Sequence, residues 1–191
     1  MLLLIAGHHP LAKGAGYNDH YEHDEAVLWV SEIANLVRGR MMVDIVPTGR
    51  VSDKVKWVNT QNNVSLVCEV HFNSDASKRQ HGSETLYCPG SSHGKSAAEV
   101  VQAALAGIFP PSRGVKEGWY RQDRPDVADY PGDINGDEDI IDILDKTTPV
   151  TIVVEPEFIY NWEVLQDRRH PACGALTDAL VKAALGITER N

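Results

Sequence analysis

Apolar positions in this chain follow two rhythms. Leu2–Ala6 is a short, wholly apolar run that stops at Gly7, and residues 150–154 form a second run that stops at Glu155. Such runs, bounded by turn or polar residues, are the pattern of strands buried on both faces. Residues 41–46, 64–70 and 83–88 read as further strands. Between them the period lengthens. From Asp24 the apolar residues Ala26, Val27, Val30, Ile33, Ala34 and Val37 recur at helical spacing, with Asp24 and Glu25 in the first turn and Gly39 after the end. Residues 53–62 predict a short helix, 92–109 a longer one closed by Pro110 and Pro111, and 172–185 an Ala/Leu-rich closing helix. Residues 7–21 and 112–148 are polar and irregular.

Strands alternating with helices predict an α/β fold: a mostly parallel twisted sheet with helices on both faces. The 191 residues, 42% hydrophobic and 24% charged, suit one domain over 1–191. Lys+Arg 18 against Asp+Glu 27 gives a net charge of −9, which disfavours nucleic acid as a partner, because phosphate backbones are held mainly by Lys and Arg. Cys68, Cys88 and Cys173 are too few and too scattered for a disulfide framework and form no CxxC pair, so reduced thiols are expected. The amino terminus lacks a basic start and is apolar for only a few residues. Neither a secretory signal nor membrane insertion is expected, and the mature protein is expected to start at Met1.

The histidines redirect attention. Four of the eight, His8, His9, His20 and His23, fall in the first two dozen residues. Ligand sites in open α/β sheets lie at the carboxyl ends of strands. Three runs end in chemistry-bearing residues there: Leu2–Ala6 at Gly7-His8-His9, 64–70 at His71, and 150–154 at Glu155. With Glu25 in the first turn of the first helix, two imidazoles and two carboxylates can converge. Two His and one Glu with an open position is a catalytic zinc set, and a spare carboxylate is the general base that a metal-activated water needs. Singly, each has a bland reading: a strand-end His facing solvent, or Glu25 as a charge favoured by the helix dipole. Glu155 is harder to dismiss, since a carboxylate after five sheet-forming residues needs a positive partner or metal.

These motifs, in this order, make the chain resemble the zinc-dependent N-acetylmuramoyl-L-alanine amidases of the Amidase_3 family, which includes bacterial autolysins and phage endolysins. LIAGHH aligns His8 with the family's first zinc ligand, EAVLWVSEIANLV aligns Glu25 with its glutamate ligand, and EVHFNSD aligns His71 with the third. GSETLY matches a G-x-E-x-x-Y element, Arg113-Gly114-Val115 an R-G-V segment, and EPEFIYN a late motif that places the catalytic glutamate at Glu155 and an asparagine at Asn161. The chain departs from the family at His9 and Glu157, where glycines are usual, at Thr48-Gly49-Arg50 in place of T-R, and in KVKWVN, which lacks the arginine usual before A-N.

The resemblance implies zinc-dependent hydrolysis of the amide joining N-acetylmuramic acid to L-alanine in peptidoglycan. His8, Glu25 and His71 would hold Zn²⁺, and Glu155 would move the proton. Glu22 is the fallback for Glu25, which is preferred because helical periodicity begins there and a rigid first turn fixes a ligand better than a loop. The partner is peptidoglycan. A single catalytic domain without a wall-binding module fits a phage or prophage endolysin, monomeric, made in the host cytoplasm without a signal peptide and acting on the bacterial cell wall. The alternatives are a zinc carboxypeptidase acting on free peptides and a non-catalytic wall-binding protein derived from an amidase. The DINGDED stretch resembles the start of a calcium loop, but Leu144 stands where the loop's twelfth-position acid belongs, so a solvated acidic loop is expected. Trp119-Tyr120 is a candidate groove lining.

Overall fold

A computed structural model of the chain describes residues 1–118 and 141–188. Its elements are β1 (Leu2–Ala6), β2 (Gly16–Tyr17), β3 (His20–Tyr21), α1 (Glu22–Val37), β4 (Val43–Ile45), α2 (Val51–Asn59) and β5 (Leu66–Val70). They continue with β6 (Ser83–Tyr87), α3 (Ser92–Ala106), β7 (Ser112–Glu117), α4 (Asp142–Asp145), β8 (Thr151–Glu155) and α5 (Trp162–Thr188). Six strands form one sheet in the order β4-β1-β5-β8-β6-β7. The first four run parallel; β6 is antiparallel to β8, and β7 is parallel to β6. The mixed sheet of a single α/β domain is therefore as the strand pattern predicts.

Alternation along the buried strands sorts the core into two layers. Leu2 and Leu4 of β1 pack with Trp29 and Ile33 of α1, Val101 and Leu105 of α3, and Leu176 and Leu180 of α5. Leu3 and Ile5 face the other way, toward Val58 of α2 and Ile143 and Leu144 of α4. Trp29, fully buried, stands edge-on to Phe72 at 5.5 Å and locks α1 against the end of β5. Removing a ring of that size from a packed core costs ~3–5 kcal/mol.

Several boundaries differ from the sequence reading. The polar stretch 7–21 contains the β2–β3 hairpin, whose turn places Asn18 and Asp19 at φ +48 and +65, a backbone that Asn and Asp tolerate better than most residues. That hairpin starts α1 at Glu22, one half-turn ahead of Asp24. Ser112–Glu117, read as irregular, is the edge strand β7, disguised because its half-buried positions alternate only weakly around Gly114. The closing helix begins at Trp162 rather than 172 and runs through Pro171, an exposed position that lacks the N–H a helix interior uses. The DINGDED stretch, Trp119 and Tyr120 lie outside the described residues. Among the described residues no helix is long and apolar enough to cross a membrane.

Candidate metal centre

The centre of the sheet brings three strand ends together. Gly7 N–H donates to Val70 O and His71 N–H to Val154 O, both at 2.9 Å, so the residues that follow β1, β5 and β8 emerge side by side. Immediately after β1 the chain turns sharply: His8 adopts φ +56, a left-handed conformation that only a well-tied backbone sustains in a side-chain-bearing residue. Two glycines make room. A Cβ on Gly7 would stand 2.7 Å from the His71 ring, and one on Gly14, at φ +78, would stand 2.3 Å from the His8 ring. The two imidazoles thus sit edge-to-face with centroids 4.8 Å apart.

Glu22, the first residue of α1, is buried between them. Its Oε1 accepts from Ala15 N–H at 2.8 Å, which aims Oε2 at His8 Nε2 (3.0 Å) and His71 Nδ1 (3.5 Å). One ligand atom from each of His8, Glu22 and His71 lies within 4.8 Å of the others. The 3.0 and 3.5 Å separations bracket the ~3.3 Å expected between ligand atoms on a tetrahedron with bonds of about 2.0 Å, the length of zinc–nitrogen and zinc–oxygen bonds. The field also favours a cation. Burial alone would lower the His71 pKa, but the charge of Glu69 and the hydrogen bond to Glu22 raise it to about 10. Burial would raise Glu22, yet hydrogen bonds to His71 and His8 hold it down at about 2. Two imidazoles and an anionic carboxylate converging in this way could hold a metal ion.

Glu25 does not join them. One turn further along α1, its Oε1 accepts from Trp29 Nε1 at 2.9 Å and from Gln166 Nε2 of α5 at 3.0 Å, with Arg169 Nη1 at 3.8 Å. It ties α1 to α5 in the helical layer, and burial raises its pKa. Because the helix starts earlier than its apolar period, the carboxylate facing the imidazoles is Glu22, not Glu25.

Glu155 ends β8 in the strand beside His71. Burial first, then the charge of Glu84, push its pKa up to about 8. Glu84, opposite it in the β6–β8 register, is held anionic: Arg113 Nε and Lys116 Nζ donate to its Oε2 at 2.8 and 2.7 Å, and Asn73 Nδ2 to its Oε1 at 2.7 Å. Glu84, Asn73 and the two cations escaped the sequence reading as a group. Only the GSETLY and R-G-V matches pointed to Glu84 and Arg113, because the β7 strand that carries both cations was read as loop.

Other sequence candidates stand outside the convergent set of His8, Glu22 and His71. Glu157, buried, accepts from the backbone N–H of Gly82 with both oxygens, from Phe158 N–H and from Asn161 Nδ2, and so clamps the chain after Glu155 onto the start of β6. Asn161 also donates to Gln80 O. His23 pairs through Nδ1 with Gly7 O at 2.7 Å, while His9 accepts from Leu11 N–H within the β1 loop. His20 stacks on Trp162 at 3.5 Å, on the edge of a cleft of about 360 Å³ that Tyr17, Asn18, Tyr160 and Asn161 also line. A larger groove, about 510 Å³, lies between α3 and α5 beside Arg40 and His93 and contains none of the convergent donors.

No protein-family model and no curated protein sequence matches the chain. Solved structures do. The chain is similar to an N-acetylmuramoyl-L-alanine amidase from Clostridium difficile 630 (TM-score 0.74, 16% identity, covering 98% of this chain and 96% of that one). It is also similar to the catalytic domain of CwlV, an N-acetylmuramoyl-L-alanine amidase from Bacillus (Paenibacillus) polymyxa var. colistinus (0.74, 15%, 100% and 98%). A third match is the catalytic domain of the CD27L endolysin targeting Clostridia difficile (0.69, 21%, 97% and 96%). At these identities the shared property is the fold over nearly the full length of both chains.

Proposed function

We propose that this protein is a zinc-dependent N-acetylmuramoyl-L-alanine amidase that cleaves the bond between the lactyl group of N-acetylmuramic acid and L-alanine in peptidoglycan. The observation that carries the reading is the convergence of His8, Glu22 and His71 at the strand ends, with Glu155 beside them, in a fold shared with amidase catalytic domains. His8, Glu22 and His71 would hold the ion; when bound it would polarise the scissile carbonyl and lower the pKa of the attacking water. Glu155 accepts the water's proton and returns it to the leaving amine of L-alanine. Its raised pKa suits both transfers near neutrality, and the two carboxylates divide the roles: Glu84, fixed as an anion by Arg113 and Lys116, keeps Glu155 the stronger base.

The cleft by Tyr17, His20 and Trp162 adjoins the hairpin that positions Glu22 and offers aromatic faces for the substrate. The match to an endolysin catalytic domain supports a lytic role in a phage or prophage, acting on the cell wall. A carboxypeptidase needs a cation for the substrate's terminal carboxylate, whereas Arg113 and Lys116 are both engaged by Glu84. Mass spectrometry of digested peptidoglycan is the test. The amidase reading expects glycan strands that keep their lactyl groups together with peptides newly freed at L-alanine; loss of C-terminal residues from the peptides, or cut glycan, would contradict it.

A further inference from the structure

Beneath the convergent donors lies a second, buried layer of charge. Lys54 of α2 is 1% exposed, although a helix packed on a sheet is ordinarily held by apolar residues such as its neighbour Val58. Its ammonium uses all three donors on the strand ends: Ala6 O at 2.7 Å, His8 O at 2.8 Å and Glu69 Oε1 at 3.1 Å. Glu69 is also buried, on the same face of β5 as His71, and its other oxygen, Oε2, stands 3.4 Å from His71 Nε2. Buried ion pairs contribute little net stability compared with apolar packing, so the reason for this one lies in what it touches.

We propose that Lys54 and Glu69 are positioning residues for the metal centre: Glu69 fixes His71 with its proton on Nε2 and its lone pair on Nδ1, while Lys54 holds the left-handed backbone at His8. The inference rests on the metal reading above and concerns how the ligands are presented. His71 Nδ1 is the nitrogen that faces Glu22 Oε2, so a proton on the opposite nitrogen leaves the lone pair directed into the donor cluster. A carboxylate accepting from the far nitrogen of a ligating imidazole orients the ring and raises its basicity. Lys54 neutralises Glu69 without supplying a donor to His71. Its bond to His8 O restrains the residue whose φ of +56 turns the side chain toward Glu22. The sequence carries the two residues together, Lys54 in KVKWVN and Glu69 in EVH.

The test measures zinc affinity by competition with a chromophoric chelator, for the full chain and for Glu69→Gln, Lys54→Met and Lys54→Arg, together with the thermal midpoint of each metal-free protein. Glutamine at 69 can turn its amide nitrogen toward His71 Nε2 and favour the wrong tautomer. Glu69→Gln is therefore expected to bind zinc ~10–100-fold more weakly, as is usual when such an outer partner is removed. Lys54→Met should also weaken binding, and Lys54→Arg should recover part of it. A second measurement needs no variant. Long-range ¹H–¹⁵N correlation of the imidazoles in the zinc-loaded wild type should show His71 protonated at Nε2 and coordinating through Nδ1. A folded Glu69→Gln protein with unchanged zinc affinity, or coordination of His71 through Nε2, overturns the proposal. A wild-type chain that takes up no zinc instead refutes the metal reading, and this inference falls with it.

Discussion

Glu155 is the residue on which turnover depends in this account. Glutamine at 155 keeps the side chain's shape but can neither take the water's proton nor return it, and acid–base help of this kind is worth ~10²–10⁴ in rate. Glu155→Gln is expected to lose that factor in muropeptide cleavage while zinc content stays at the wild-type level; a joint loss of zinc and activity would make Glu155 a ligand instead. The ligand carboxylate is tested in the same way. Glu22→Ala should lose zinc, whereas Glu25→Ala should keep it and lower the thermal midpoint, since Glu25 joins Trp29 of α1 to Gln166 of α5. Zinc lost only from the Glu25 variant would reverse the assignment. His8, His71 and Glu155 stood out in the sequence because each lies at or just beyond the end of an apolar run. Glu22 was legible only as the fallback to Glu25, because the feature that starts α1 there is a two-residue turn at Asn18 and Asp19, hidden in a polar stretch where apolar periodicity has nothing to register.

The connection after β5 is pinned to the connection after β8. Asp75 accepts from Ser77 and from Tyr160 Oη, and these hydrogen bonds, Ser77's the larger, hold its carboxyl at about 2 against an ordinary 3.8. A depressed folded-state pKa contributes stability that is fully present above the ordinary value and is lost as pH falls from about 3.8 toward about 2. Tyr160→Phe removes one of the bonds, so the Asp75 carboxyl resonance should titrate at higher pH than in the wild type; an unchanged midpoint would show that Ser77 alone sets it. Glu157 fastens the same two connections through Gly82 N–H. The buried strands and amphipathic α1 were readable from hydrophobic period. β7 and the first ten residues of α5 were not: an edge strand buries too little to impose alternation, and α5 opens with WEVLQDRRH, polar enough to read as loop until Ala172.

At the scale of the molecule, the parallel order β4-β1-β5-β8 sets three chemically loaded strand ends next to one another, and α1 returns across them to add Glu22. The antiparallel β6 then lays Glu84 opposite Glu155, and β7 brings the cations that hold Glu84 charged. The sheet thus sets Glu155, at the end of β8, one strand away from His71 at the end of β5. Its two faces also differ in purpose: α1, α3 and α5 supply the larger apolar core, while α2 delivers Lys54 beneath the triad. The most direct test of this arrangement is zinc stoichiometry and muropeptide cleavage measured on one preparation, before chelation, after exhaustive chelation and after zinc is restored. The account predicts one zinc per chain, loss of cleavage with the metal and its return with zinc; a metal-free protein that still cleaves the muramyl amide at the full rate would contradict it.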